Sequence, residues 1–218
     1  GIIAASVAMS SDLSERCRAA GVPMVLFNRS QDDPNMSAVT SDNYAGGRKI
    51  AEFLLAAGHK KIGHIAGWHG ASTQRDREAG FISALADAGV ALHSRSEGDF
   101  TMARAAEAAR KMFTHDAPDA VFVANDHMAL AVLDTLRFEL GMKVPDDVSV
   151  VGYDDVPAAG WRAYDLTTVR QPANRMVTNT VEILLDQIEN NTGETRRIAI
   201  DGPLIVRGSA RIPKGWTK

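Results

Sequence analysis

The sequence predicts an α/β protein of two lobes, each a parallel sheet flanked by helices. Three observations lead there. Short β-branched apolar runs alternate with stretches of helical periodicity, which is the pattern of parallel strands joined by helical crossovers. The 218-residue chain is 45% hydrophobic, enough for two cores of about 100 residues each. Nearly every expected strand ends in polar or charged residues, and in open α/β sheets ligands bind at the carboxyl ends of strands.

The elements follow in order. Ile2–Ser6 reads as a strand, Leu13–Ala20 as a helix stopped by Gly21, and Met24–Phe27 as a strand after Pro23. Ser37–Thr40 is a short strand. Asp42 caps a helix that runs to Ala57 and stops at Gly58. Ile62–Ala66 is a strand, and a helix carries Phe81, Leu85 and Ala88 to Gly89. The polar stretch His93–Asp99 reads as a connection to a helix over Thr101–Phe113. Val121–Ala124 is a buried strand, and the helical pattern Met128, Leu130, Val132, Leu133, Leu136 follows it, with Asp126 as the expected cap. Pro145-Asp146-Asp147 turns the chain into strand Val148–Gly152. Tyr153–Asp165 is a loop, Thr167–Gln171 is extended, and Pro172 opens a helix to about Glu189. Ile198–Ile200 and Leu204–Val206 close the series as short strands. The best lobe boundary is Gly58–Lys61, where a helix stop meets a basic turn.

Candidate binding residues stand at the strand ends. They are Ser6, Asn28-Arg29, Asp42-Asn43, Gly67-Trp68, Phe100, Asn125-Asp126, Asp154-Asp155 and Gln171, with Thr73, Arg75 and Arg77 at a helix start. Planar amides, carboxylates, arginine forks and aromatic faces are what a polyhydroxylated molecule requires, because each buried hydroxyl needs a directed partner. Each has a plainer reading. Arg75 and Arg77 could pair on the surface with Asp76 or Glu78, Trp68 and Phe100 could be core, and Asp154-Asp155 could be a turn. Adjacent residues of an extended chain point to opposite sides, so one aspartate would face a ligand and the other tether the loop. Gly46-Gly47 lies inside a helical pattern and suits either a phosphate cradle or close helix packing.

Other classes fit poorly. The net charge of −3 argues against nucleic-acid binding by this chain as a whole. No apolar run reaches the roughly 20 residues of a membrane helix. Single Cys17 excludes an internal disulfide and suits a reducing compartment. No Walker A loop, Gly-x-Gly-x-x-Gly, His-Glu-x-x-His or Gly-x-Ser-x-Gly is present, and the six histidines lack metal-ligand spacing. No catalytic residue, metal or cofactor is therefore expected.

The stretches Gly58-His59-Lys60-Lys61-Ile62, Glu97-Gly98-Asp99-Phe100, Val123–Leu130 (Val-Ala-Asn-Asp-His-Met-Ala-Leu), Val144–Asp155 (Val-Pro-Asp-Asp-Val-Ser-Val-Val-Gly-Tyr-Asp-Asp) and Leu166–Pro172 (Leu-Thr-Thr-Val-Arg-Gln-Pro) resemble the LacI/GalR family of bacterial transcriptional repressors. The resemblance runs over Gly1–Arg211 with the motifs in the family's order. It implies a periplasmic-binding-protein-like (type I) effector domain, whose two lobes close on a sugar or related metabolite. By that pattern one lobe holds residues 1–59 and 171–199 and the other 60–170 and 200–212. Arg77, Asn125 and Asp154 match effector-hydroxyl contacts. Phe100 matches an aromatic platform, Gln171 a polar contact at the hinge, and Asn28 and Arg29 follow a strand feeding the pocket. Arg29 makes an acidic or phosphorylated sugar worth testing. Met128–Phe138 and Ala158–Tyr164, with Trp161, match the family's homodimer surfaces.

The family also implies a cytoplasmic location and operator binding through a helix-turn-helix domain that this chain lacks. By the family's pattern a strand-helix-strand-helix is expected before the equivalent of Gly1. No initiator Met is present, so more sequence is expected upstream, and the first lobe is expected to be incomplete, with Ile2–Ser6 at an unpaired edge. A periplasmic sugar-binding protein of a transporter shares this fold and is the alternative.

Overall fold

A computed structural model describes residues 1–8, 12–190 and 194–216. The chain forms two parallel sheets. The first has the order β1-β2-β3-β9, from Ile2–Ala5, Met24–Phe27, Ser37–Ser41 and Arg197–Ile200. The second has the order β10-β8-β7-β6-β4-β5, from Leu204–Ile205, Thr167–Arg170, Ser149–Asp154, Ala120–Val123, Ile62–Ala66 and Ser94–Glu97. Every pairing is parallel except that of β10 with β8.

Side-chain alternation along the strands splits each lobe into two cores. On β2, Met24 and Leu26 pack with Cys17 of α1 (Leu13–Ala19), while Val25 packs with Met176 and Ile183 of α6 (Ala173–Glu189). In the second lobe, α4 (Met102–Met112) and α5 (Asp126–Asp134) cover Val121, Val123, Val148 and Val150. On the opposite face α2 (Asn43–Ala56) and α3 (Ser72–Asp87) cover Ile62, Phe122, Val151 and Val169. Each such fully buried side chain contributes on the order of 2 kcal/mol.

That packing corrects the expected lobe boundary. Helix α2 buries Ile50, Phe53 and Leu54 against the second sheet, so the chain leaves the first lobe after Ser41, not at Gly58–Lys61. Gly58 is only the left-handed stop of α2, with φ +83°. The crossing itself carries no linker composition, only the cap: the Asp42 carboxylate accepts from Ala45 N–H at 2.9 Å. The chain crosses again after β8 and after β9. Lys49 of α2 braces the last crossing through the Asp201 carboxylate and the Gly202 carbonyl.

Two elements differ from the sequence reading. Residues 94–97 are strand β5, not a connection. It is a polar edge strand with half its side chains in solvent, so no apolar run marks it. The tail of the helix after α5 widens into a π-helical turn over Thr135–Glu139. As expected, β1 lies at a sheet edge, with Ile2 and Ile3 exposed. Beyond that expectation, α6 shows Val177, Val181, Leu185 and Ile188 to solvent. Among the described residues no helix is long and apolar enough to cross a membrane.

A candidate effector cleft between the lobes

Arg77 sits at the centre. It lies in the second turn of α3 and is 3% exposed. Its Nε donates to Asn43 Oδ1 at 2.9 Å, Nη1 to the Ala124 carbonyl at 2.6 Å and Nη2 to Asp154 Oδ1 at 3.1 Å. The Tyr153 ring covers the guanidinium face at 3.6 Å, a cation–π contact strengthened by desolvation. Gln171 Nε2 donates to the same Asp154 oxygen at 2.6 Å. Arg77, Asp154 and Gln171 are thus one hydrogen-bonded network. Asn43 and Tyr153 complete it. The sequence shows Asn43 only as a polar residue at a strand end, and Tyr153, expected to open a loop, is instead a buried residue of β7.

The two neighbouring aspartates divide, although both have positive φ and not the extended backbone the sequence reading assumes. Asp155 is gripped by Arg170 Nε at 2.6 Å and Arg207 Nη2 at 2.7 Å, tethering the loop. Asp154 joins Asn28, Gln171, Met176 and neighbouring residues around a cavity of about 410 Å³. Asn28 follows β2 of the first lobe, so this cavity lies between the lobes. Backbone strain collects here. Ser6, Asn28, Asp99, Phe100, Asp154 and Asp155 all have φ between +53° and +124°. For a bulky residue such as Phe100 that conformation is an outlier, and such outliers concentrate at binding sites.

Phe100 and Trp68 form an aromatic wall. The Phe100 ring lies against Gly67, where any Cβ would strike it. Arg29 reaches from the first lobe with its guanidinium carbon 5.5 Å from the Phe100 centroid and 6.0 Å from that of Trp68. Ser30 N–H donates to Ser72 Oγ at 2.9 Å, a second contact across the lobes. Thr73 is buried beside it in the first turn of α3. Arg75 takes the surface role, pairing with Asp76 at 2.9 Å and, across the lobes, with Asp32 at 2.7 Å.

The cap falls on Asn125 and not, as expected, on Asp126. Asn125 is the cap of α5, its Oδ1 accepting from Met128 N–H at 3.0 Å. Asp126 is buried and accepts from Val156 N–H at 2.9 Å and Thr168 Oγ1 at 2.7 Å. Helix geometry explains the position: the cap must be the last residue with extended backbone, and that is Asn125.

Burial is the main reason that Asp126's carboxyl is pushed up to about 6, with the Asp154 and Asp155 charges adding to it. His64 lies fully buried, its Nδ1 3.0 Å from the Phe122 carbonyl and its Nε2 3.3 Å from Gln74 Nε2. Burial pushes it down to about 4. A carboxyl raised on folding favours the folded state at low pH and loses that contribution as pH rises through 6. A histidine lowered on folding favours it at high pH and loses that contribution as pH falls from 6.5 toward 4. The two slopes oppose each other over the same window. Asp126→Asn, which removes only the first, should therefore gain about 1–3 kcal/mol relative to the parent between pH 4.5 and pH 7. Urea unfolding at the two pH values measures it, and an unchanged difference refutes it.

The Gly46-Gly47 pair is a packing device, not a phosphate cradle. A Cβ on Gly46 would strike the Tyr153 ring, and one on Gly47 the Arg77 carbonyl. Among the described residues no cluster of His, Cys, Asp or Glu could hold a metal.

Residues 51–210 match the periplasmic binding protein-like domain family. Among curated relatives, the HTH-type transcriptional repressor PurR of Photobacterium profundum is 33% identical over 197 residues, 89% of this chain and 59% of its own length. The HTH-type transcriptional regulator CelR of Thermobifida fusca is 36% identical over 215 residues, covering 96% and 63%. The chain thus spans about three-fifths of the length of these relatives. Among solved structures, a transcriptional regulator CelR–cellobiose complex superposes with a TM-score of 0.89 at 35% identity, covering 96% of this chain and 65% of that one. A LacI transcriptional regulator from a Rhodococcus species gives 0.86 at 30% identity, covering 97% and 78%. With strand ends of both lobes meeting at one cavity, this chain belongs to the periplasmic-binding-protein-like effector domains of the LacI family of transcriptional regulators.

Proposed function

We propose that this chain senses a sugar or closely related metabolite in the cleft between its lobes, and that occupancy of the cleft controls the DNA binding of a LacI-type repressor. The observation that carries this reading is the shared cavity of Asn28, Asp154 and Gln171, with Arg77 hydrogen-bonded to Asp154 at its wall. Asn125, Thr73, Phe100 and Arg29 belong to the same site in this proposal. A ligand bridging Asn28 and Asp154 holds the lobes at one closure angle, and it shifts the equilibrium by its differential affinity for the closed state. The cellobiose-bound relative supports a carbohydrate.

The rest of the assignment follows from the relatives. Operator contacts would belong to a helix-turn-helix domain of the kind their names carry, and the protein would work in the cytoplasm. The homodimer face would centre on Phe138 and Trp161, which are 81% and 61% exposed. Arg137 joins their two segments through the Ala163 carbonyl. Met128 to Leu133 lie in the core and contribute support, not contact.

Titration calorimetry with cellobiose, glucose, ribose and their acids tests the proposal. Saturable binding that weakens at least tenfold in Asp154→Ala supports it. No heat and no thermal shift with any of them overturns it.

A further inference from the structure

We infer that Gln74 is a positioning residue of the effector cleft: its buried side-chain amide fixes the Gly67 backbone, on which the Phe100 ring is seated. This rests on the cleft reading above and adds a residue behind the aromatic wall.

Gln74 lies in the first turn of α3 and is fully buried. Every polar group of its amide is engaged. Oε1 accepts from Gly67 N–H at 2.6 Å. Nε2 donates to Glu78 Oε2 at 2.9 Å and lies 3.3 Å from His64 Nε2. Two of these partners have fixed polarity. The Gly67 N–H can only donate, and an ionised Glu78 carboxylate can only accept. Burial works against that ionisation, but Arg95 outweighs it and holds Glu78 below the usual carboxylate range. Arg95 Nε and Nη2 grip the two Glu78 oxygens at 2.5 and 3.2 Å. The amide orientation is therefore set, and its second N–H points at His64 Nε2, which must accept. His64 is then the neutral Nδ1–H tautomer, donating to the Phe122 carbonyl at 3.0 Å.

Both ends of this clamp are fixed. The His64 ring stacks on Phe122 with centroids 4.7 Å apart and lies 5.8 Å from the Phe81 centroid. Glu78 of α3 and Arg95 of β5 are the charged groups that face it. At the other end stands Gly67, buried and first after β4. The Phe100 ring packs on it so closely that a Cβ there would lie 2.3 Å from ring atoms. Trp68 follows directly. If Gly67 moved, a buried N–H and a buried amide oxygen would both lose their partner, which is costly. The amide thus holds the aromatic wall in place before a ligand arrives, and a wall set in advance need not be ordered on binding.

Two variants separate hydrogen bonding from packing. Gln74→Met keeps the length and bulk of the side chain but offers Gly67 no oxygen. Gln74→Glu keeps the oxygen. Amide hydrogen exchange of the whole chain, read by NMR, should show Gly67 exchanging about tenfold faster or more in Gln74→Met, and within about threefold of the parent in Gln74→Glu. The Phe100 ring resonances should move in the first variant and hold in the second. In Gln74→Glu a carboxylate faces His64, so His64 should take up its proton at higher pH than in the parent, seen in its ring-nitrogen shifts. Whichever of cellobiose, glucose and ribose binds the parent should bind about fivefold or more weakly in Gln74→Met and lose less than about threefold in Gln74→Glu. Protection of Gly67 that survives Gln74→Met, or is lost only in Gln74→Glu, reduces Gln74 to a packing residue and overturns the inference. Faster Gly67 exchange with unchanged sugar affinity overturns it too. A parent chain that binds none of these sugars overturns the sugar-sensing proposal alone, because the exchange and the ring resonances read the seat of Phe100 without a ligand.

Discussion

Arg77→Ala should abolish effector binding and lower the unfolding free energy by about 3–5 kcal/mol, the usual cost of removing one partner from a buried ion pair. The substitution leaves Asp154 without its cation, and leaves Asn43 Oδ1 and the Ala124 carbonyl without their donor. It also opens a space beneath the Tyr153 ring, which now lies 3.6 Å from the guanidinium. Arg77→Lys should not rescue binding, because a single ammonium cannot reach three acceptors in three directions. Urea unfolding reads the stability loss and calorimetry the binding loss. A variant within about 1 kcal/mol of the parent and binding normally would remove Arg77 from the centre of the site.

Gly47→Ala and Gly80→Ala should each destabilise the chain by about 2–3 kcal/mol net, even though alanine favours a helix by about 1 kcal/mol over glycine. A Cβ on Gly47 would fall well inside 3.0 Å of the Arg77 carbonyl, and one on Gly80 would do the same at the Tyr44 carbonyl. The obstructing atoms are backbone, so no rotamer change relieves the overlap and α2 must separate from α3. Because Arg77 rides on α3, Gly47→Ala should also weaken effector binding. Gly160→Ala is the control. Its nearest neighbour is 4.0 Å away and its φ is not positive, so it should stay within about 0.5 kcal/mol of the parent. Equal melting temperatures for Gly47→Ala and Gly160→Ala would refute the close crossing.

The same two helices show where reading the sequence stops. Glycines costly in a helix already announce a packing reason or a phosphate loop. Which backbone they admit is not legible, since α3 lies well further along the chain. The lobe boundary is hidden for a related reason. Gly58-His59-Lys60-Lys61 has the composition of a linker, yet the crossing at Asp42 is an ordinary helix cap, and only the burial of Ile50, Phe53 and Leu54 against the second sheet reveals it.

The chain's own order of residues determined the class of fold, most strand and helix positions, and the principle that polar residues at strand ends would converge. Those are consequences of local periodicity and caps, which act over a few residues. Tertiary structure decided which of the polar residues share one cavity, that Asn125 caps while Asp126 is buried, that Arg75 turns to the surface while Arg77 turns inward, and that Arg29 lies beside two rings. Burial and partnership are properties of residues distant in sequence, and a charge acquires its meaning only from what the fold places beside it.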